Sequence, residues 1–139
     1  MADQYQDMEL TGAIIGTCFE VHNELGRGYL ESVYEQALIV ALQDRGLIAE
    51  RQVPLQVRFR GHVVGNFYAD IVVAGKVIVE LKAVSALTQE HSAQLITYLK
   101  GSGVDIGLLV NFGAPKLEHR RCWRPAFDPD PNSPYPSHP

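Results

Sequence analysis

Apolar positions recur at helical spacing near the start of the chain. Met8, Ile14, Ile15, Cys18, Phe19, Val21, His22 and Leu25 follow a three-to-four-residue step, and Gly26 and Gly28 punctuate its end. A second helix is predicted over residues 30–45, with Leu30, Val33, Tyr34, Ala37, Leu38, Ala41 and Leu42 as its apolar stripe and Gly46 as its stop. The period then falls to two. Val53, Leu55, Val57 and Phe59 alternate with Gln56, Arg58 and Arg60, which reads as a strand closed by a turn at Arg60-Gly61-His62. A second strand follows over residues 63–73, with Gly65 as a candidate bulge. Ala74-Gly75-Lys76 is a turn, and residues 77–83 form a third strand whose Val77-Ile78-Val79 run suits burial on both faces. Thr88 is a candidate N-cap for a third helix reaching Lys100, ended by Gly101 and Gly103. Residues 106–111 read as a short buried strand, and a last edge segment falls over 117–123. The order ααβββαβ, with one further strand, predicts an α/β fold: a mixed sheet with helices packed against it.

Composition adds a boundary and a charge asymmetry. The chain has 139 residues, 46% of them apolar, which suits a single domain with a real core over residues 1–124. Six of the eight prolines fall in the last 15 residues, so 125–139 is expected to be a flexible tail. The net charge of −4 speaks against a protein that simply coats nucleic acid. That total hides a split: residues 1–50 carry nine acids and two bases, whereas residues 51–124 carry five acids and ten bases. Cys18 and Cys122 make neither a disulfide framework nor a zinc site. No apolar run approaches a membrane span, and the polar start Met1-Ala2-Asp3-Gln4 is not a signal peptide, so a cytoplasmic protein is expected by default.

The segment with chemistry is Tyr68-Ala69-Asp70, nine residues, then Glu80-Leu81-Lys82. Period-2 geometry puts Glu80 and Lys82 on one face of the third strand. With a three-residue loop from Ala74 to Lys76, Val73 faces Val77 and Asp70 falls opposite Glu80, their Cβ atoms ~5 Å apart. Two carboxylates that close repel unless a proton or a cation lies between them. A hard divalent cation, Mg²⁺ or Mn²⁺, suits oxygen ligands, and Lys82 on the same face could orient a water against a phosphoryl group. An ordinary ion pair on a charged sheet face is the competing reading. Glu31 opens the second helix, where an acid also suits the helix dipole. His91, Gln94 and Tyr98 share one face of the third helix. His22 on the first helix, and Arg120, Arg121, Trp123 and Arg124 near the end, are further candidates for substrate contact, with core packing and edge protection as their plainer roles.

These residues resemble the GxxExxY protein family. The resemblance rests on Val21-His22, Leu25-Gly26 and Gly28-Tyr29-Leu30-Glu31-Ser32-Val33-Tyr34. Asp70, Glu80-Leu81-Lys82-Ala83-Val84, Gln94, Tyr98-Leu99-Lys100 and the stretch Leu108-Leu109-Val110-Asn111-Phe112-Gly113 extend it over residues 8–123. That family is placed in the PD-(D/E)XK nuclease superfamily, in a branch similar to RecB-type and Cas4-type nucleases. The resemblance implies a restriction-endonuclease-like core, αβββαβ, with an extra N-terminal helix. It implies Asp70, Glu80 and the Leu81 carbonyl as metal ligands, Glu31 as a further acid at the metal, and Lys82 as the water-orienting group. It implies Gln94 and Tyr98 as substrate-side residues, to which the helix-face reading adds His91 and His22 as candidates. Ala69 stands where the superfamily's name has proline.

Three functions are thereby set in competition. The first is a Mg²⁺- or Mn²⁺-dependent nuclease acting on DNA or RNA. The second is a non-catalytic nucleic-acid-binding or assembly module that keeps the fold, working as a homodimer or beside a partner protein. The third is a hydrolase of small phosphorylated molecules, disfavoured because Gly26-Arg27-Gly28 lacks the spacing of a phosphate-cradling loop.

Overall fold

Gln4–Leu25 forms the first helix (α1) and Glu31–Asp44 the second (α2) in a computed structural model that describes residues 4–125. They are followed by strands β1 (Ala49–Phe59), β2 (His62–Val73) and β3 (Val77–Lys82), helix α3 (Gln89–Ser102), and strands β4 (Ile106–Asn111) and β5 (Glu118–Trp123). The five strands make one sheet in the order β1-β2-β3-β4-β5. Neighbours are antiparallel except β3 and β4, which run parallel and are joined by α3 as the crossover that parallel strands require. This is the predicted restriction-endonuclease-like arrangement, a mixed sheet flanked by helices.

Two apolar clusters sandwich the sheet. Ile14 and Cys18 of α1 and Leu38 of α2 pack with Ile71, Val79 and Leu108 on one face. Leu95 and Leu99 of α3 pack with Ile78 and Leu109 on the other. Successive residues of β3 and β4 therefore go to opposite helices, which is why Val77-Ile78-Val79 is apolar at every position.

Most element boundaries fall within a few residues of expectation. β1 begins four residues earlier than its alternation suggests, because the largely polar Ala49–Gln52 stretch lies beside α2. The bulge lies at Val64, beside Gly65: Val57 pairs with Gly65 and Arg58 with Val63. Gly101 sits inside α3 rather than ending it. A Cβ there would come within 2.9 Å of Val57, so it lets the helix approach β1, while Gly103, with φ of 75°, makes the left-handed stop. The two arginines of the last strand, and Arg124 just after it, bond back to the body of the fold. Arg120 donates to the Thr88 carbonyl and Ser92 Oγ, Arg121 to Thr11 Oγ1, and Arg124 pairs with Asp105 at 2.8 Å. They fasten the β5 edge to both helical layers instead of offering it to a nucleic acid. Of the proline-rich segment expected over 125–139, all but Pro125 lies outside the described residues.

Candidate active site

Val73 pairs with Val77 as predicted, and the β2–β3 ladder runs to Ile71 opposite Val79 and stops. The next pair in that register is Asp70 and Glu80. The two are not a regular ladder pair with side chains standing off one face. The Leu81 N–H donates to Asp70 Oδ2 at 2.9 Å, and the Asp70 N–H donates to Glu80 Oε1 at 3.2 Å. Each carboxylate thus takes a backbone hydrogen bond at the point where the strands part.

A slip in strand alternation turns Asp70 sideways. Ala49, Ile71 and Val73 pack in the α1/α2 layer, whereas Val53, Leu55 and Ala69 pack in the α3 layer. All six are odd-numbered, so β1 and β2 exchange faces between these positions. The exchange sits at Gln52 and Asp70, the one pair missing between Arg51–Ile71 and Val53–Ala69. Gln52 takes a left-handed φ of 49°, uncommon for a residue with a side chain. Its cost is offset by Glu35 of α2, a buried carboxylate. Glu35 accepts from Gln52 Nε2 at 3.1 and 3.2 Å and pairs with Arg51 Nε at 3.1 Å. Two consecutive side chains of β1 therefore reach one acid on α2, which fixes the kink opposite Asp70.

The electrostatics follow from this crowding. Burial first, and the neighbouring Asp70 charge second, push the Glu80 carboxyl up to about 8, against the Asp70 N–H bond and then Lys82. Glu31 is raised by burial and by Asp70 and Glu35, and lowered by Lys82 and His91, so its carboxyl lies within electrostatic reach of these groups. Tyr98 is raised by burial, then by Glu80 and Asp70, and its ring stacks on Phe67 at 4.0 Å between centroids.

The approach to Glu31 is held by the residues that flank it. Gly28 adopts a φ of 115°, a conformation that disfavours any side chain. The buried Tyr34 donates its hydroxyl to the Gly26 carbonyl at 2.6 Å, accepts from Tyr29 N, and stacks on Phe112 at 4.7 Å. The Gly28, Glu31 and Tyr34 spacing is therefore a turn, an acid at a helix start, and an anchor.

Asp70, Glu80, Lys82, Glu31 and Tyr98 converge. Gln94 lies exposed on α3, one turn before Tyr98. Leu81 buries its side chain in the α1/α2 layer between the two charged residues of β3. His91 serves the helix start, where its Nδ1 accepts from the Thr88 N–H at 3.0 Å and closes a capping box with the predicted N-cap. His22 is drawn into the core, its Nε2–H donating to the Ala114 carbonyl at 3.1 Å beside the Phe112 ring. Sequence reasoning missed Glu35, Gln52 and the clamp at the other end of the site. There the buried Asn111 accepts from Val84 N and Gly113 N and donates to the Val84 carbonyl and Glu118 Oε1. Only the reading of a polar residue ending an otherwise apolar strand could have found it.

A family comparison matches residues 8–122 to the PD-(D/E)XK nuclease superfamily. The chain belongs to that superfamily. No curated protein matches it. Among solved structures, this PD-(D/E)XK chain is similar to the crystal structure of SSO0001, with a TM-score of 0.55 and 19% identity over 66% of this chain. It spans about half, 48%, of that protein's length, and the likeness is one of fold.

PD-(D/E)XK nucleases generally use divalent metal ions. The donor set here fits one: two neighbouring carboxylates beside a strand carbonyl are hard oxygen donors, close enough that Asp70 helps raise Glu80. Among the described residues no three His, Cys, Asp or Glu side chains gather as a complete cage. A site of two carboxylates suits an ion that keeps several waters, as Mg²⁺ does.

Proposed function

We propose that this PD-(D/E)XK chain is a divalent-metal-dependent nuclease hydrolysing phosphodiester bonds of DNA or RNA. The carrying observation is the reciprocal Asp70–Glu80 arrangement, in which each carboxylate takes a backbone hydrogen bond, next to Lys82 on the same strand as Glu80. Asp70, Glu80 and the Leu81 carbonyl would hold Mg²⁺ or Mn²⁺, with Glu31 as an outer acid. A bound divalent ion supplies neutralisation of the pair and polarisation of a phosphoryl oxygen. Lys82 orients the attacking water and meets the negative charge that develops on the phosphoryl oxygens. Gln94 and Tyr98 hold the substrate strand from α3, and His91 borders them. His22 stays a core residue in this reading.

The spacing of Gly28, Glu31 and Tyr34 supports membership of the GxxExxY family and of the branch similar to RecB-type and Cas4-type nucleases. We place the activity in one domain over residues 1–124, in the cytoplasm, acting as a homodimer or beside a partner protein. Among the described residues no helix is long and apolar enough to cross a membrane.

The test is cleavage of single-stranded, duplex and branched DNA and RNA with Mg²⁺ or Mn²⁺. Lys82→Ala is expected to lose at least about 100-fold in rate while keeping metal binding by calorimetry. Equal cutting by Lys82→Ala, or no cutting by the parent, refutes the assignment. Salt-dependent binding without turnover would favour the non-catalytic module instead.

A further inference from the structure

Beyond Asp70 the β1–β2 hairpin continues as a two-stranded arm past the end of β3. Residues 51–69 contain three arginines and a histidine and not one acid, in a chain with 16 acids. The arm has two unlike faces. Val53, Leu55, Val57 and Phe67 lean on the α3 layer and are half-buried. The opposite face, which starts where α2 stops covering the strands at Gln52, carries Gln56, Arg58, Asn66 and Tyr68, all exposed. Tyr68 is 62% exposed although it sits two residues from Asp70. At the tip, Arg60 lies over the Phe59 ring at 4.9 Å, and Phe59 is itself 58% exposed. Arg58 is bonded to the neutral Gln56 and the Gly61 carbonyl, so its charge is not cancelled by an acid.

We propose that this arm is a binding surface for single-stranded nucleic acid, with Arg58, Arg60 and Tyr68 as its contacts. The proposal deepens the nuclease reading and rests on it for the class of ligand. Exposed aromatic rings next to unpaired positive charge match a chain of phosphates with free base faces. A duplex hides those faces. The arm is two strands wide, about 5 Å between backbones, which suits one strand lying along it.

The experiment measures polarisation of labelled 30-nucleotide DNA and RNA single strands and a 30-base-pair duplex, in EDTA so that nothing is cut. Arg58→Glu/Arg60→Glu is expected to weaken single-strand binding at least about tenfold and to lower the salt slope by about 1.4, the share of two phosphate contacts. Tyr68→Ala is expected to weaken it about fivefold or more. Lys76→Glu, at the opposite end of β3, is the control and should bind like the parent. Unchanged binding by the arm variants, or an equal loss with Lys76→Glu, overturns the proposal. Sedimentation that shows a dimer broken by Tyr68→Ala also overturns it, because the face then meets a second copy. Failure of the nuclease reading shows separately, as absence of cleavage by the parent with metal, whereas unaltered kcat/KM in the arm variants sinks the arm alone.

Discussion

Asp70→Asn should make the metal-free protein more stable at alkaline pH while removing metal binding. Asn keeps an oxygen to accept the Leu81 N–H and keeps the backbone N–H that serves Glu80. What it removes is one negative charge beside a buried carboxyl. Glu80 is held at about 8 in the folded state, by burial first and Asp70 second, against an ordinary 4.5. Its folded value is raised, so between those pH values the native state holds a proton that the unfolded chain has lost. Stability from this group is therefore full below about pH 4.5 and falls as pH rises through 8. At about 1.4 kcal/mol per pH unit, the whole effect has an upper bound of about 5 kcal/mol. The part due to Asp70 is about 3 kcal/mol for charges ~5 Å apart at an effective dielectric of 20. Asp70→Asn is thus expected to gain about 1–3 kcal/mol at pH 9, or about 4–12 °C in Tm for a chain this size. The gain should vanish near pH 5. Urea and thermal unfolding in EDTA from pH 5 to 9 measure it. Adding Mg²⁺ at pH 8 should raise the Tm of the parent and not of the variant. Parallel pH profiles for the two proteins, or a variant less stable at pH 9, would refute the reasoning.

Two further substitutions test the supports of the site. Glu35→Ala leaves Gln52 and Arg51 without their partner and should cost about 2–4 kcal/mol. It should also weaken Mn²⁺ affinity, by calorimetry below the variant's Tm, because the kink that aims Asp70 is released; unchanged affinity would show that the kink holds without it. Asn111→Ala removes four hydrogen bonds from a fully buried side chain and should cost about 3–5 kcal/mol in urea unfolding; a loss under 1 kcal/mol would mean that the Val84 and Gly113 backbones find other partners.

The fold was legible where one physical rule acts on contiguous residues. Alternation located β1, the turns at Gly61 and Gly75 bounded β2, apolar continuity located β3 and placed β4 to the residue, and Thr88 capped α3 as its chemistry requires. The β2–β3 turn fixed the register, so Asp70 and Glu80 could be set opposite one another by counting. Two things were not legible. The departure of β2 from the ladder at Asp70 depends on a left-handed Gln52, and no local preference of glutamine announces one. Its partner Glu35 is 17 positions away on a helix and looks, in sequence, like any solvated acid on a helix face. The arginines of β5 were equally opaque, since their acceptors lie on α1, α3 and the loops around them.

The face exchange explains why an acidic protein can carry a basic arm. With unbroken alternation, the odd-numbered positions of β1 and β2 would stay in the α1/α2 layer, and Gln56, Arg58, Asn66 and Tyr68 would turn toward α3. A one-residue slip at Gln52 instead gives α3 the apolar Val53, Leu55 and Phe67 and frees the polar set. The same slip removes Asp70 from the ladder and turns its carboxylate to Leu81 N. One backbone irregularity therefore makes both the acidic centre and the exposed basic face of the arm, and Glu35 is the group that stabilises it. The acids of residues 1–50 then divide by role. Glu35 shapes the site from behind the sheet, Glu31 faces it, and Glu20 ties α1 to Arg45. Substituting Glu35 should accordingly disturb metal affinity and single-strand binding together, whereas Arg58→Glu/Arg60→Glu should disturb strand binding alone.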